Sequence, residues 1–201
     1  MRLADRLRAA LEAGHRTEPE LLFGDALDEE GEAVPAAVLV AVTDRPEPGV
    51  ILTLRPETMR KHPGQISFPG GRLDPGDDGP IDAALREAEE EIGLPRDQVE
   101  LVGIADRYRT ITGFEVIPVI GVVPPGIALT PHPGEVAAVF EAPLHYLLDP
   151  AHQMVRTAEF RGRVRSYYEI DYEGRRIWGA TAAMIVNLSR RLVLGDLRCG
   201  A

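Results

Sequence analysis

A cluster of acidic side chains in one segment constrains the fold of this chain most strongly. This cluster consists of four glutamates within residues 87–91: Glu87, Glu89, Glu90 and Glu91. In an α-helix of about 3.6 residues per turn, Glu87, Glu90 and Glu91 occupy positions i, i+3 and i+4 and share one face. Their mutual repulsion is relieved by a cation, and Mg²⁺ and Mn²⁺ prefer carboxylate oxygens. The pattern predicts a divalent metal site or, alternatively, a solvated acidic helix face.

A glycine-rich loop precedes this segment. Residues 68–79 read Phe-Pro-Gly-Gly-Arg-Leu-Asp-Pro-Gly-Asp-Asp-Gly, and glycine allows the backbone to turn sharply and to approach a ligand closely. The helix is expected to begin near Pro80, because proline is favoured in a first helical turn, and to end at Gly93. A backbone carbonyl from the turn at Gly70 and Gly71 is a plausible additional metal ligand. The sequence therefore predicts a loop-helix-loop unit that supports a metal site.

The same unit resembles the signature of the Nudix hydrolases. That signature reads Gly, five residues, Glu, seven residues, then Arg-Glu-apolar-any-Glu-Glu-any-Gly-apolar, and its second half matches every fixed position from Arg86 to Leu94. The first half departs from it. Counting back from Arg86 places the first acid at Asp78, whereas counting forward from Gly71 places it at Asp77. The resemblance implies the Nudix fold, an α/β (α+β) architecture with a mixed β-sheet sandwiched between α-helices.

A second resemblance points to one group within this superfamily. Residues 51–55 read Ile-Leu-Thr-Leu-Arg and are followed, at fixed spacings, by Arg60, Gly64 and the Phe-Pro-Gly-Gly of residues 68–71. This pattern is similar to the one that precedes the box in coenzyme A pyrophosphatases, with Ile51 in place of leucine and Pro56 in place of serine or alanine. It implies hydrolysis of coenzyme A or acyl-CoA to 3',5'-ADP and 4'-phosphopantetheine or its acyl form. The substrate-binding candidates are Arg55, Arg60, His62 and Gly70.

The Nudix resemblance also implies roles for individual residues. Glu87, Glu90 and Glu91, with the carbonyl of Gly71, are the expected ligands of Mg²⁺ or Mn²⁺, while water attacks one phosphorus of the diphosphate. Arg86 is expected to hold a glutamate in place through a charge-assisted hydrogen bond rather than to contact phosphate. The general base stays open between Glu135, from a distant loop, and Glu90. The catalytic candidates are Arg86, Glu90, Glu91 and Glu135.

Two other functions remain open at this stage. One is a Nudix pyrophosphatase that acts on ADP-ribose or a dinucleotide. The other is a non-catalytic nucleotide-sensing Nudix module, for which the complete set of Glu87, Glu90 and Glu91 would be unnecessary. Asp77 and Asp78, which replace the usual glutamate, keep this last alternative open.

Length and charge limit the class of protein further. A chain of 201 residues suits a single domain, here 1–201, with an N-terminal amphipathic helix over about residues 1–14 and the box over about residues 71–94. A net charge of -10 argues against a nucleic-acid partner. Cys199 is the only cysteine, and no apolar run is long enough to cross a membrane. We expect a cytoplasmic enzyme with a small-molecule substrate and no membrane partner; a homodimer is left open.

The remaining segments alternate between strand and helix patterns. A turn-forming stretch at residues 44–49 predicts a hairpin between two β-rich runs. The expected strands are residues 36–43, 50–55, 65–68, 99–108, 115–123, 135–140, 154–160 and 164–170, and a closing helix is expected over residues 180–194.

Overall fold

The computed structural model describes residues 1–22, 33–58, 62–160 and 162–192. Arg60 and Cys199 lie outside the described residues. The helices are α1 (Leu3–His15), α2 (Pro80–Ile92), α3 (Leu144–Leu148) and α4 (Ala180–Arg191), with short 3-10 turns at Arg96–Gln98 and Pro150–His152. The strands are β1 (Val34–Thr43), β2 (Gly49–Leu54), β3 (Ile66–Ser67), β4 (Gly70–Arg72), β5 (Glu100–Ile104), β6 (Tyr108–Arg109), β7 (Phe114–Val123), β8 (Ala138–Pro143), β9 (Met154–Phe160), β10 (Arg163–Tyr172) and β11 (Arg175–Trp178).

The central sheet is mixed. Strand β1 runs parallel to β7 along its whole length and antiparallel to β2 and β4. The predicted hairpin of β1 and β2 forms only beside its turn, where Val42 pairs with Val50. Beyond that point the two strands separate, and the segment from β3 to β4 lies between them, with β3 paired to β2 and β4 to β1. Strand β8 covers the other edge of β2.

Gly70 makes this insertion sterically feasible. It has a φ of +155° and pairs with Val38 of β1. A Cβ at this position would collide with the carbonyl oxygen of Ala37 and the Cα of Val38. Such a backbone collision cannot be relieved by rotating a side chain, so only glycine fits where β4 meets β1.

Both faces of the central sheet are covered by helices. Helices α1, α3 and α4 pack on one face, in a cluster that includes Leu7, Leu147 and Ile185. Helix α2 packs on the other face, where Ala84 and Ala88 join a cluster with alternate residues of β1. The predicted mixed sheet between helices is therefore confirmed. None of the helices in the described residues is both long and apolar enough to span a membrane.

A second sheet is separate from the central one. Strands β9 and β10 form the expected hairpin, and β11 pairs with β10 to complete a three-stranded antiparallel sheet. The sequence patterns did not predict β4, β11 or α3. Strand β8 begins at Ala138, later than the predicted start at residue 135, so Glu135 lies in the turn before it.

A buried ion pair connects the first and last helices to the sheet. The guanidinium of Arg191 donates to both carboxylate oxygens of Asp106 at 2.7 and 2.6 Å, and it also donates to the carbonyl of Gly14 at 2.7 Å. The Arg191 side chain is only 9% exposed. It therefore joins α4, the end of α1 and the segment after β5.

Removal of the negative charge at Asp106 should destabilise the fold. The Asp106→Asn variant leaves Arg191 buried with an incomplete partner, and we expect a loss of about 2 to 4 kcal/mol in the free energy of unfolding, measured with urea. Asp5→Asn is the matched control, because Asp5 pairs with Arg2 and Arg8 at the exposed surface, where such pairs contribute at most about 1 kcal/mol. Equal losses in both variants would contradict the role assigned to this ion pair.

Candidate active site

Two glutamates of α2 lie directly over the two glycines of β4. The backbone amide of Gly70 donates a hydrogen bond to Glu91 Oε2 at 3.1 Å. The carboxylate of Glu87 occupies the space above Gly71, where any Cβ would collide with it. Glu91 is only 6% exposed. The paired glycines thus allow two carboxylates to approach the strand backbone.

Burial and neighbouring charges make this site electrostatically unfavourable for anions. Burial is the main cause that raises the pKa of Glu91 to about 7, and the charges of Glu87 and Glu135 add to it, while the Gly70 amide and Arg55 oppose it. The pKa of Glu87 is also raised, mainly by burial and further by Glu90 and Glu135. Glu135 therefore lies close enough to both α2 carboxylates to affect them, although it comes from a distant loop.

Arg86 connects the acidic helix to the loop before it. Its Nη1 donates to Glu87 at 2.9 Å and to Glu90 at 3.1 Å. Its Nε and Nη2 donate to the two carboxylate oxygens of Asp77 at 2.9 and 3.0 Å, and Nη2 also donates to the carbonyl of Arg72. This charge-assisted network restrains the orientation of Glu87, and the paired Glu90 carboxylate stays largely exposed.

The structure resolves which aspartate faces Arg86. The Asp77 side chain is 3% exposed, and hydrogen bonds from Arg86, then from the Asp74 amide, lower its pKa to about 2. Asp78 is exposed, and its backbone amide donates to Asp82. The additional residue of the box is therefore accommodated after Asp77, and counting forward from Gly71 identifies the paired acid. The spacing from Gly71 pointed to Asp77 and the spacing from Arg86 pointed to Asp78, so the sequence alone did not decide between them.

The predicted metal ligands only partly converge. Over the described ranges, no three histidine, cysteine, aspartate or glutamate side chains lie together in a group that could hold a metal ion. Glu87 and Glu91 meet over β4, whereas Glu90, which like Glu87 is bonded to Arg86, stays largely exposed. The donor chemistry nevertheless fits a hard cation, because two desolvated carboxylates with raised pKa values gain stability from a nearby positive charge.

The predicted substrate residues fall in two places. Arg55 follows β2, and its positive charge opposes the rise in the pKa of Glu91. Its Nε is buried and makes no hydrogen bond within the part of the chain that the structure describes. His62, with a φ of +55°, lines a cleft of about 550 Å³ on the other side of β2. The Gly70 amide is already bonded to Glu91, so its backbone supports the acid.

An acidic helix packs on a glycine-rich strand within a mixed sheet between helices. Residues 33–160 match the model of the NUDIX domain. The chain belongs to the Nudix family and is a Nudix hydrolase. Members of this family act on small nucleotide diphosphates and generally use a divalent metal ion.

Curated relatives agree with this assignment. The chain is 42% identical over 157 residues to "Uncharacterized Nudix hydrolase NudL" of Cronobacter sakazakii, a match that covers 78% of this chain and 82% of the relative. The protein of that name in Escherichia coli K12 is 40% identical over the same shares. The C. elegans Ap4A hydrolase binary complex is a structural neighbour with a TM-score of 0.48 and 20% identity, covering 55% of this chain and 80% of that one.

Asp77 and Asp78 provide a direct test of the Arg86 network. We expect Asp77→Asn to lower kcat/KM for the best nucleotide diphosphate substrate by about 10-fold or more, because residues that orient a catalytic or metal-binding group commonly have effects of this size. Asp78→Asn is the matched control and should stay within about twofold, since its side chain faces solvent. A greater loss in the control would place Asp78 in the network.

The raised pKa of Glu91 predicts a dependence of stability on pH. The folded state holds this proton more tightly than the unfolded state, so the carboxyl destabilises the fold increasingly as the pH rises from about 4.5 to about 7. In the presence of EDTA at pH 8, Glu91→Gln should increase the free energy of unfolding by about 1 to 3 kcal/mol, with a smaller gain at pH 5.

Glu89→Gln is the control on the same helix, because Glu89 is exposed and paired with Arg96. It should change stability little at either pH. A Glu91→Gln variant that is destabilised at pH 8 would contradict the unfavourable charge assigned to this carboxyl.

Proposed function

We propose that this Nudix hydrolase is a coenzyme A diphosphatase. It would cleave the diphosphate bond of coenzyme A or acyl-CoA to 3',5'-ADP and 4'-phosphopantetheine or its acyl form. One observation carries this proposal: two described parts of residues 51–71, the segment that resembles the coenzyme A pyrophosphatase signature, meet at the acidic centre. Arg55 at one end of this segment and Gly70 at the other both act on the carboxylate of Glu91.

The proposed ligands of Mg²⁺ or Mn²⁺ are Glu87, Glu90 and Glu91, with the carbonyl of Gly71. A divalent ion supplies charge neutralisation of the diphosphate oxygens and acidifies water. The protein holds these ligand groups in place. Arg86 holds Glu87 and Glu90 by hydrogen bonds of 2.9 and 3.1 Å, so the acids keep their orientation while substrate enters and product leaves.

Glu135 is the proposed general base. Its carboxylate is exposed and affects the pKa of both Glu87 and Glu91, which supports its position beside the acidic centre. Its backbone amide donates to the carbonyl of His132, so a compact turn holds it. In the proposed reaction, water attacks one phosphorus as Glu135 accepts its proton, and the bond to the bridging oxygen breaks. Glu90 is the weaker candidate, because Arg86 already occupies its carboxylate.

Arg55 is the proposed contact to the substrate diphosphate. Its buried Nε, which lacks a hydrogen-bond partner among the described residues, leaves a donor to be satisfied. Guanidinium groups pair with phosphate in a bidentate geometry. A phosphate beside Arg55 would satisfy this donor and lie next to Glu91. Arg60 and His62 are also proposed substrate contacts, because their segment resembles the coenzyme A pyrophosphatase signature.

Product analysis tests the proposed reaction. Purified protein with Mg²⁺ or Mn²⁺ is incubated with coenzyme A, ADP-ribose and diadenosine polyphosphates, and the products are identified by mass spectrometry. We expect 3',5'-ADP and 4'-phosphopantetheine, and we expect Glu91→Gln to lose about 100-fold or more in kcat, with Glu89→Gln as the control. Cleavage of only the other compounds would discard the coenzyme A assignment, and no cleavage with either metal would favour a nucleotide sensor.

A further inference from the structure

A cleft outside the acidic centre combines aromatic, apolar and cationic side chains with one carboxylate, that of Glu57. It lies between the residues that follow β2 and strand β11, and its volume is about 550 Å³. This size is within the range of about 300 to 1,000 Å³ that is usual for small-molecule sites. The side chains that matter here are those of Leu54, His62, Ile66, Arg175, Arg176 and Trp178.

The cleft and the acidic centre share one end of strand β2. Leu54 lines the cleft, and successive residues of an extended strand point to opposite faces. Arg55, the next residue, accordingly affects Glu91 on the α2 side of the sheet. The backbone amide of Arg55 donates to the carbonyl of Gln65, another residue of the cleft, at 2.9 Å. A substrate that places its diphosphate at Arg55 can therefore extend around the end of β2 into the cleft.

Two arginines of β11 have different surroundings. Arg176 is held by Glu169 and by a 2.8 Å hydrogen bond to the hydroxyl of Tyr167, and its guanidinium lies 4.8 Å from the ring centroid of Trp178. It therefore restrains the indole. Arg175 lies 4.8 Å from the ring centroid of Phe140 and pairs only weakly with Glu173, since both side chains of that ion pair are well exposed.

We propose that this cleft binds the adenosine 3'-phosphate half of the substrate, with Arg175 contacting the 3'-phosphate and Trp178 the purine. This inference rests on the proposed coenzyme A diphosphatase function. A phosphate dianion can replace the exposed Glu173 carboxylate at Arg175 at little cost, and it pairs with a guanidinium through two hydrogen bonds. The pantetheine arm is uncharged and offers no comparable partner to the cation. The flat indole surface suits a heterocyclic base.

Dephospho-CoA isolates the 3'-phosphate, because it differs from coenzyme A only by that group. The wild-type protein should prefer coenzyme A in kcat/KM, mainly through KM. Arg175→Gln should reduce this preference by about 10-fold or more, as expected for the loss of a charge-assisted contact. Arg156→Gln is the matched control, since Arg156 is exposed on the same small sheet, pairs with Glu169 and does not line the cleft; it should retain the preference.

The inference is overturned if the wild type does not discriminate between the two substrates. Equal losses for coenzyme A and dephospho-CoA in Arg175→Gln would also overturn it, because they would indicate a general structural effect. The same conclusion follows if Arg156→Gln reduces the preference as much as Arg175→Gln.

Trp178 allows a test that does not require catalysis. It is the only tryptophan of the chain, so tryptophan fluorescence reports on this cleft alone. We expect 3',5'-ADP to change the emission saturably and at lower concentration than 5'-AMP, with a weaker response in Arg175→Gln. If the protein shows this binding but cleaves no coenzyme A, the proposed function fails and the 3'-phosphate site stands. If it cleaves coenzyme A but shows no difference between the nucleotides, the 3'-phosphate site fails alone.

Discussion

The close packing of Glu87 and Glu91 over Gly70 and Gly71 is the constraint on which the rest of the site depends. A side chain at Gly71 would displace Glu87, and one at Gly70 would push β4 away from β1. Both glycines are therefore needed for two carboxylates to lie against the strand backbone. The Gly70 amide then satisfies one oxygen of Glu91, which partly offsets the cost of burying a charged group.

The carboxylates of this site carry an excess of negative charge, and neighbouring groups compensate some of them more fully than others. Arg86 compensates Glu87, Glu90 and Asp77 through four charge-assisted hydrogen bonds, two of which go to Asp77. Burial raises the pKa of Glu91, and the Gly70 amide and the charge of Arg55 offset this rise only in part. Such local instability is typical of functional sites, where a bound cation supplies the missing interaction. The excess of negative charge therefore favours a cation between these carboxylates and the proposed diphosphate.

The sequence predicted the parts of the fold that depend on local patterns. The acidic helix, the loop before it and the closing helix follow from periodicity, proline and glycine. The insertion of β3 and β4 between β1 and β2 could not be predicted, because pairing of such short strands depends on contacts far apart in the sequence. Likewise, the spacing left Asp77 and Asp78 open, since only the path of the loop decides which carboxylate reaches Arg86.

The separation of β1 from β2 also connects the two proposed halves of the site. If the hairpin continued as a regular ladder, Arg55 would pair with β1 and could not bond to Gln65. Because β3 pairs with the end of β2 in place of β1, the residues just before β3, which line the cleft, lie beside that end. One strand end therefore directs Arg55 toward the acids on one face and Leu54 toward the cleft on the other. Recognition of a remote phosphate would thus be coupled to cleavage because successive residues of one strand point to opposite faces of the sheet. This alternation is a property of the backbone rather than of any single side chain.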